Sequence, residues 1–204
     1  MAKLPVPPPK LSLAATVVTL GAGTRLFRVY HAAGPHPATW NGFRHFGPTT
    51  SRFDHHDPPP HLQARGILYA ASDPTTCLAE IFQATRVIDR AAAAPWLVAF
   101  DLTRTLSLLD LTGAWPTRAG ASMVINSGPR PRVRLWSRAI YASYPRVDGV
   151  LYASSMHANQ PAVALYECAG RALPVAPVFH RALMDPAVRP RIDGAATRLG
   201  YGVV

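Results

Sequence analysis

Glutamate is scarce in this chain of 204 residues: Glu80 and Glu167 are its only two. A residue used so sparingly is not surface filler, and Glu80 in particular asks for an explanation. Lysine is equally scarce, with two against 19 arginines, and 21 basic residues face only 11 acidic ones for a formal charge of +10. The preference for arginine, alongside abundant alanine and proline, partly reflects the compositional bias of a GC-rich genome. The excess is still physical, because a positive molecule attracts phosphates, acidic proteins and nucleic acid. Two cysteines, Cys77 and Cys168, are too few and too far apart for a disulfide framework or a zinc ribbon, so reduced thiols in a cytoplasmic setting are expected. No apolar run reaches the roughly 18 residues of a transmembrane helix, and no membrane partner is expected. G-x-S-x-G, G-x-G-x-x-G and G-x-x-x-x-G-K are all missing, which disfavours serine hydrolases, Rossmann enzymes and P-loop enzymes.

An apolar fraction of 49% with 16% charged residues describes a folded chain, long enough for one domain of ordinary size. Pro5 and Pro7–Pro9 interrupt the zone where a signal peptide would start its helix, so residues 1–23 read as a proline-rich arm leading into a strand. Strands are expected at 24–31, 66–72, 95–103, 106–112, 148–155 and 162–170, and helices at 74–85, 116–127 and 132–144. Asp73-Pro74 supplies an N-cap and a first-turn proline for the helix that carries Glu80. Residues 32–63 read as a long irregular loop, and 174–204 as a C-terminal extension that packs weakly or closes over the core, leaving 24–173 as the main domain. Mixed order with strands in excess predicts an α+β domain: a bent mixed β-sheet core with flanking helices.

Polar residues at strand ends form the first candidate site. Arg28 in "LFRVY", Tyr69 and Glu80 in "ILYAASDPTTCLAE", and Ser154 in "DGVLYASS" would share one pocket if their strands are neighbours. A guanidinium there binds phosphate bidentately, and a carboxylate beside a ribose stabilises an oxocarbenium-like centre. On spacing alone the plainer reading is a surface ion pair for Arg28, a solvated helix position for Glu80 and a turn hydroxyl for Ser154. In "SRFDHHDPPPH", Asp54, His55, His56, Asp57 and His61 include metal-ligand types, but adjacent histidines diverge and the prolines are stiff, so a polar loop and no metal site are expected. Arg52 in that segment reaches toward the same pocket. Arg130, Arg132, Arg134 and Arg138 form a basic stretch beside Trp136, without any recognised nucleic-acid motif. A solvated or docking face is the plainer reading, and direct nucleic-acid binding is not expected.

Taken in order, "LFRVY", "SRFDHH", "ARGILYAASDPTTCLAEIF" and "DGVLYASSMHANQPAVALY" resemble the core of the RES-domain family, from about Arg25 to Tyr166. The resemblance implies a fold similar to ADP-ribosyltransferase toxins and an NAD-consuming toxin neutralised by a cognate antitoxin, a small DNA-binding Xre-type protein. It implies catalytic roles for Arg28, Glu80 and Ser154, with Ser155 as the alternative register, and NAD contacts from Arg28, Tyr30, Arg52, Tyr69, Glu80 and Ser154. Ser51 stands where the family has glycine before the arginine. NAD phosphorylase activity is the leading expectation, with NAD as substrate, inorganic phosphate as co-substrate and no other cofactor. ADP-ribosyl transfer to a protein, a basic nucleic-acid-binding module and an inactive binding domain are the alternatives.

Overall fold

The computed structural model describes residues 3–204, so residues 1 and 2 of the expected arm lie outside the described part. The strands are β1 (Val17–Leu20), β2 (Arg25–His31), β3 (Arg44–Gly47), β4 (His61–Ala71), β5 (Val87–Ile88), β6 (Pro95–Asp101), β7 (Leu106–Asp110), β8 (Gly149–Ala153), β9 (Pro161–Tyr166), β10 (Phe179–Ala182) and β11 (Gly202–Val203). The helices are α1 (Pro74–Ile81), α2 (Trp115–Arg118), α3 (Arg130–Ser143) and α4 (Arg189–Leu199). Nine strands make one sheet in the order β1-β7-β8-β9-β4-β2-β6-β10, with β3 added on β4. The β7–β8 pair is parallel and its neighbours are antiparallel, so the sheet is mixed and the fold is α+β as the sequence predicts. Among the described residues, no helix is long and apolar enough to cross a membrane.

Alternation along the central strands divides two apolar clusters. Ile67, Ala71, Val150 and Ala164 face α1 and α3, where they meet Leu78, Trp136 and Ile140. Leu26, Leu68, Phe100 and Leu165 face the other side, against Trp40 and Phe43 of the 32–43 loop. Strands covered on both faces read as continuous hydrophobic runs, which is why "ILYAA" and "AVALY" stand out in the sequence. Between β2 and β4 the ladder shrinks to one pair, Phe27 with Ala71, while β2 continues alongside β6 for seven. The sheet therefore opens between β2 and β4.

The structure departs from the sequence reading in several places. Residues 116–127 are not one helix: α2 stops at Arg118, Gly120 turns the chain at φ 89°, and a 3-10 turn covers Met123–Asn126. The 32–63 segment contains β3 and the start of β4, whose outer ends are solvated and so lack an apolar signal. Residues 174–204 do not pack weakly. They add β10 to the sheet edge beside β6 and bury Leu183, Val188, Ile192 and Ala195 in the core. The N-terminal arm straps α3: Trp136 Nε1 donates to the Pro5 carbonyl at 2.8 Å, and Tyr144 Oη to that of Leu13 at 2.7 Å.

The β8–β9 contact leaves no room at Gly149. A Cβ there would stand 2.3 Å from the Ala164 carbonyl oxygen and 2.9 Å from Leu165 Cα, both backbone atoms of the paired strand. Gly149→Ala is expected to lower stability by about 1–3 kcal/mol, the usual range for overpacking, measured by urea denaturation against wild type. An unchanged midpoint would show that the two strands separate freely.

Candidate active site

Glu80 is placed by helix α1, and α1 is placed by its cap. The Asp73 carboxylate accepts from the amides of Thr75 at 2.6 Å and Thr76 at 3.3 Å, while Pro74 occupies the first turn, where no amide donor is needed. Cys77 Sγ donates to the Phe27 carbonyl at 3.1 Å, fixing the helix to β2 where the sheet opens. From α4, Arg198 Nη2 donates to Thr75 Oγ1 at 2.6 Å. These ties bring the last turn of α1 over the end of β8. There the buried Ser154 hydroxyl donates to Glu80 Oε1 at 2.6 Å and accepts from the Met156 amide at 3.3 Å. Ser155 is exposed, so Ser154 is the serine that meets the carboxylate.

A cavity of about 300 Å³ lies in the opening of the sheet, bounded by Val29 of β2, Tyr69 of β4, Tyr152 of β8 and Glu80 of α1. Arg52 and Arg130 also line it, so two guanidiniums face a single carboxylate among the described residues. Arg52 donates to the Gly128 carbonyl. Burial, and then the charge of Arg130, hold its pKa below the ordinary arginine value, against the pull of Glu80. The Tyr69 hydroxyl is enclosed near Ser51 without a hydrogen bond of good geometry, and burial raises its pKa. Tyr152 is likewise pushed well up by burial, with the Glu80 charge adding to the effect.

Arg28 and Tyr30 are not walls of this cavity. Val29 lines it, and alternation along β2 sends its two neighbours to the other face. Arg28 Nη1 donates to the Gly42 carbonyl at 3.1 Å, and its guanidinium lies 5.9 Å from the centre of the Tyr30 ring. Burial lowers the Arg28 pKa to about 10, with Tyr30 and the cavity residue Cys77 acting in the opposite sense, so it stays charged at neutral pH. Tyr30 Oη and His180 Nε2 of β10 share a hydrogen bond of 2.6 Å. The structure thus brings Arg52, Tyr69 and Glu80 to one cavity, adds Ser154 through its hydrogen bond to Glu80, and sets Arg28 and Tyr30 behind the β2 edge of the opening.

The expected polar loop around "FDHH" is a buried polar knot, with Asp54, His55 and His56 all inaccessible to solvent. Asp54 accepts from Arg44 Nη2 at 2.9 Å, the Thr49 amide at 2.6 Å and Thr49 Oγ1 at 2.8 Å, and pairs with His56 Nδ1 at 2.6 Å. Burial raises its pKa, but the hydrogen bonds from His56 and Thr49 and the charge of Arg44 outweigh this and leave it well below the carboxylate range. Local bonding of this kind lets a run of charged letters occupy an interior. The knot fixes the turn that delivers Arg52 to the cavity. Sequence reasoning missed Arg130, Gln83 and Tyr152 as cavity residues. The Pro131 that marks the start of α3 was a usable signal for Arg130, and "GVLYA" repeats the "ILYA" pattern that singled out Tyr69.

The RES-domain family model matches residues 25–185. The chain is a RES-domain protein. In the RES domain, the matched segment contains Arg28, Tyr30, Arg52, Tyr69, Glu80 and Ser154, and runs through β10. No curated protein sequence is significantly similar to the chain. Among solved structures, a chain in the crystal structure of the M. tuberculosis MbcT–MbcA toxin–antitoxin complex is similar in fold, with TM-score 0.55 and 20% identity over 86% of this chain and 92% of that one.

His55 gives the RES domain a pH signature. Its ring stacks on Tyr141 with centroids 4.3 Å apart, both ring nitrogens lack partners, and burial, reinforced by the charge on His56, lowers its pKa to about 3. The folded state therefore binds fewer protons here than the unfolded state. The resulting stability is complete above the unfolded value of 6.5 and is lost as the pH falls toward 3. Denaturation midpoints are expected to drop across that window, His55 alone contributing a slope approaching about 1.4 kcal/mol per pH unit. His55→Phe should remove that contribution while retaining the stacking; an equally steep acid limb in the variant would assign the slope elsewhere.

Proposed function

We propose that this RES domain breaks the nicotinamide–ribose bond of NAD by phosphorolysis, as a toxin held in check by a cognate antitoxin. The observation that carries the reading is Glu80, held by Ser154 at 2.6 Å, on the wall of a cavity that two arginines also line. Ser154 fixes one carboxylate oxygen, and the other faces the ribose. As the glycosidic bond breaks, its electron pair passes to the pyridinium nitrogen, so nicotinamide departs neutral and no general acid is needed. The positive charge that grows on the anomeric carbon is stabilised by Glu80. A phosphate oxygen then bonds to that carbon, giving nicotinamide and ADP-ribose 1-phosphate. Arg52 offers its guanidinium to phosphoryl oxygens in the cavity, and Tyr69 supplies an aromatic wall. Arg28 and Tyr30, behind the β2 edge, receive the far part of the dinucleotide.

The toxin reading is supported by family membership and by the fold it shares with a chain of a toxin–antitoxin complex. A net charge of +10 suits an acidic antitoxin segment, of the Xre type that the family implies, lying over the cavity. Arg130 turns into the cavity instead of joining Arg132, Arg134 and Arg138, which removes one residue from the stripe a nucleic-acid-binding reading requires.

The test is nicotinamide release from NAD by partner-free protein, with and without inorganic phosphate. Phosphate-dependent release is expected in wild type. Glu80→Gln should lower it at least about 10²-fold, comparable to losing one preorganised electrostatic group. Ser154→Ala removes a charge-assisted hydrogen bond worth about 1.5–3 kcal/mol, which corresponds to about a ten- to hundredfold lower rate. Release that ignores phosphate would replace phosphorolysis with hydrolysis or ADP-ribosyl transfer, and no release at all would overturn the NAD reading.

A further inference from the structure

Arg130 is the first residue of α3, and its side chain is half-buried in the cavity wall. Its Nη2 donates to Gln83 Oε1 at 2.6 Å, and Gln83 Nε2 in turn donates to the Glu80 carbonyl at 2.6 Å. Gln83 therefore locks Arg130 to the turn of α1 that carries the carboxylate. A neutral amide leaves the whole guanidinium charge uncompensated, and this bond uses one of its five donors. Arg52 is held in the same way, by the neutral Gly128 carbonyl. Among the described residues, neither arginine forms a salt bridge. Glu80, the one carboxylate among the cavity's lining residues, already accepts from Ser154.

Two guanidiniums close enough for one to depress the pKa of the other, both turned toward the same cavity, repel each other until an anion enters. Planar forks of this kind match the oxygens of a phosphoryl group, which accepts two parallel hydrogen bonds from each. A dianion neutralises both charges at once. We infer that Arg130, held by Gln83 and facing Arg52, forms a phosphoryl-anion subsite and is the residue that selects inorganic phosphate as the second substrate. The assignment to the second substrate rests on the phosphorolysis reading. The anion subsite itself rests on the paired arginines.

The two sources of a phosphoryl group, free phosphate and the pyrophosphate of the dinucleotide, separate in one experiment on the full chain. Inorganic phosphate is titrated into partner-free protein without NAD, by calorimetry, for wild type, Arg130→Gln, Arg130→Lys and Gln83→Ala; steady-state KM values for phosphate and for NAD are then measured. Phosphate should bind wild type and bind Arg130→Gln at least tenfold more weakly. Arg130→Lys should restore part of the affinity, and Gln83→Ala, which loses only the positioning bond, should show a smaller loss of about threefold. In turnover, Arg130→Gln should raise the phosphate KM by at least tenfold and leave the NAD KM within twofold. Equal phosphate affinity in wild type and Arg130→Gln overturns the subsite. A raised NAD KM with an unchanged phosphate KM overturns the selection role and gives Arg130 to the dinucleotide. If wild type releases no nicotinamide, the phosphorolysis reading fails on its own, and the titration without NAD still decides the anion subsite. Melting curves establish that each variant is folded; should Arg130→Gln fail there, Arg130→Lys and Gln83→Ala carry the comparison.

Discussion

One residue pair, Phe27 with Ala71, joins the two parts of the main sheet, and the site depends on that narrowness. A complete ladder between β2 and β4 would fill the space now left as a cavity. A gap without that pair would leave the two parts free to move apart. Helix α1 spans the opening: Cys77 bonds to the Phe27 carbonyl on one side, and Glu80 receives Ser154 from β8 on the other. The hinge of the sheet and the carboxylate of the site are thus held by the same eight-residue helix. Its isolated stability is negligible at that length, so packing and capping carry it. Asp73 satisfies the first amides and Arg198 braces Thr75 from α4.

The second requirement is a rigid delivery of Arg52. Long arginine side chains lose considerable rotamer freedom when they are fixed, so the backbone that carries one must already be ordered. The Asp54 knot supplies that order within a segment rich in proline and poor in apolar residues. Its carboxylate, itself without solvent exposure, gathers Arg44, Thr49 and His56 into one network. Breaking a network of this kind costs more than the sum of its hydrogen bonds, because a buried charge is left behind. Positioning therefore comes from polar bonding around Arg52 and from apolar packing around α1.

These two modes differ in how plainly they are written in the chain. Strands covered on both faces, such as Ile67–Ala71 and Ala162–Tyr166, appear as apolar runs, and Asp73-Pro74 announces the start of α1 through local chemistry alone. Glu80, Tyr69 and Ser154 were legible because each stands in or beside such an element, and Arg52 through the "SRFDHH" segment that precedes one. Arg130 was not, since a cluster of arginines looks the same whether one of them turns inward or all of them face water. Its direction is decided by Gln83, 47 residues earlier, a pairing with no local signal. The knot was hidden for a related reason. Letters that read as a solvated loop became interior once they bonded to one another, and periodicity does not register bonding. The C-terminal segment buries its apolar residues singly, Leu183 just after β10 and Ile192 in α4, so no window was apolar enough to suggest a core element.

The two glutamates of the chain differ in how many of their oxygens the fold engages. Glu167 accepts from the Gly66 amide at 2.8 Å with Oε2 and from Tyr141 Oη at 2.6 Å with Oε1, so both oxygens are engaged in joining β4, α3 and the turn after β9. Glu80 has Ser154 on Oε1, and among the described residues nothing bonds its other oxygen. Neither glutamate is surface filler, which accounts for their scarcity in an otherwise arginine-rich chain. Their roles diverge through one hydrogen bond. A carboxylate whose two oxygens both tie structural elements together is committed to the fold, whereas one anchored through a single oxygen is oriented and still open. Ser154 therefore does for Glu80 what a second protein donor would undo: it holds the group in place and leaves the remaining oxygen free of protein donors among the described residues.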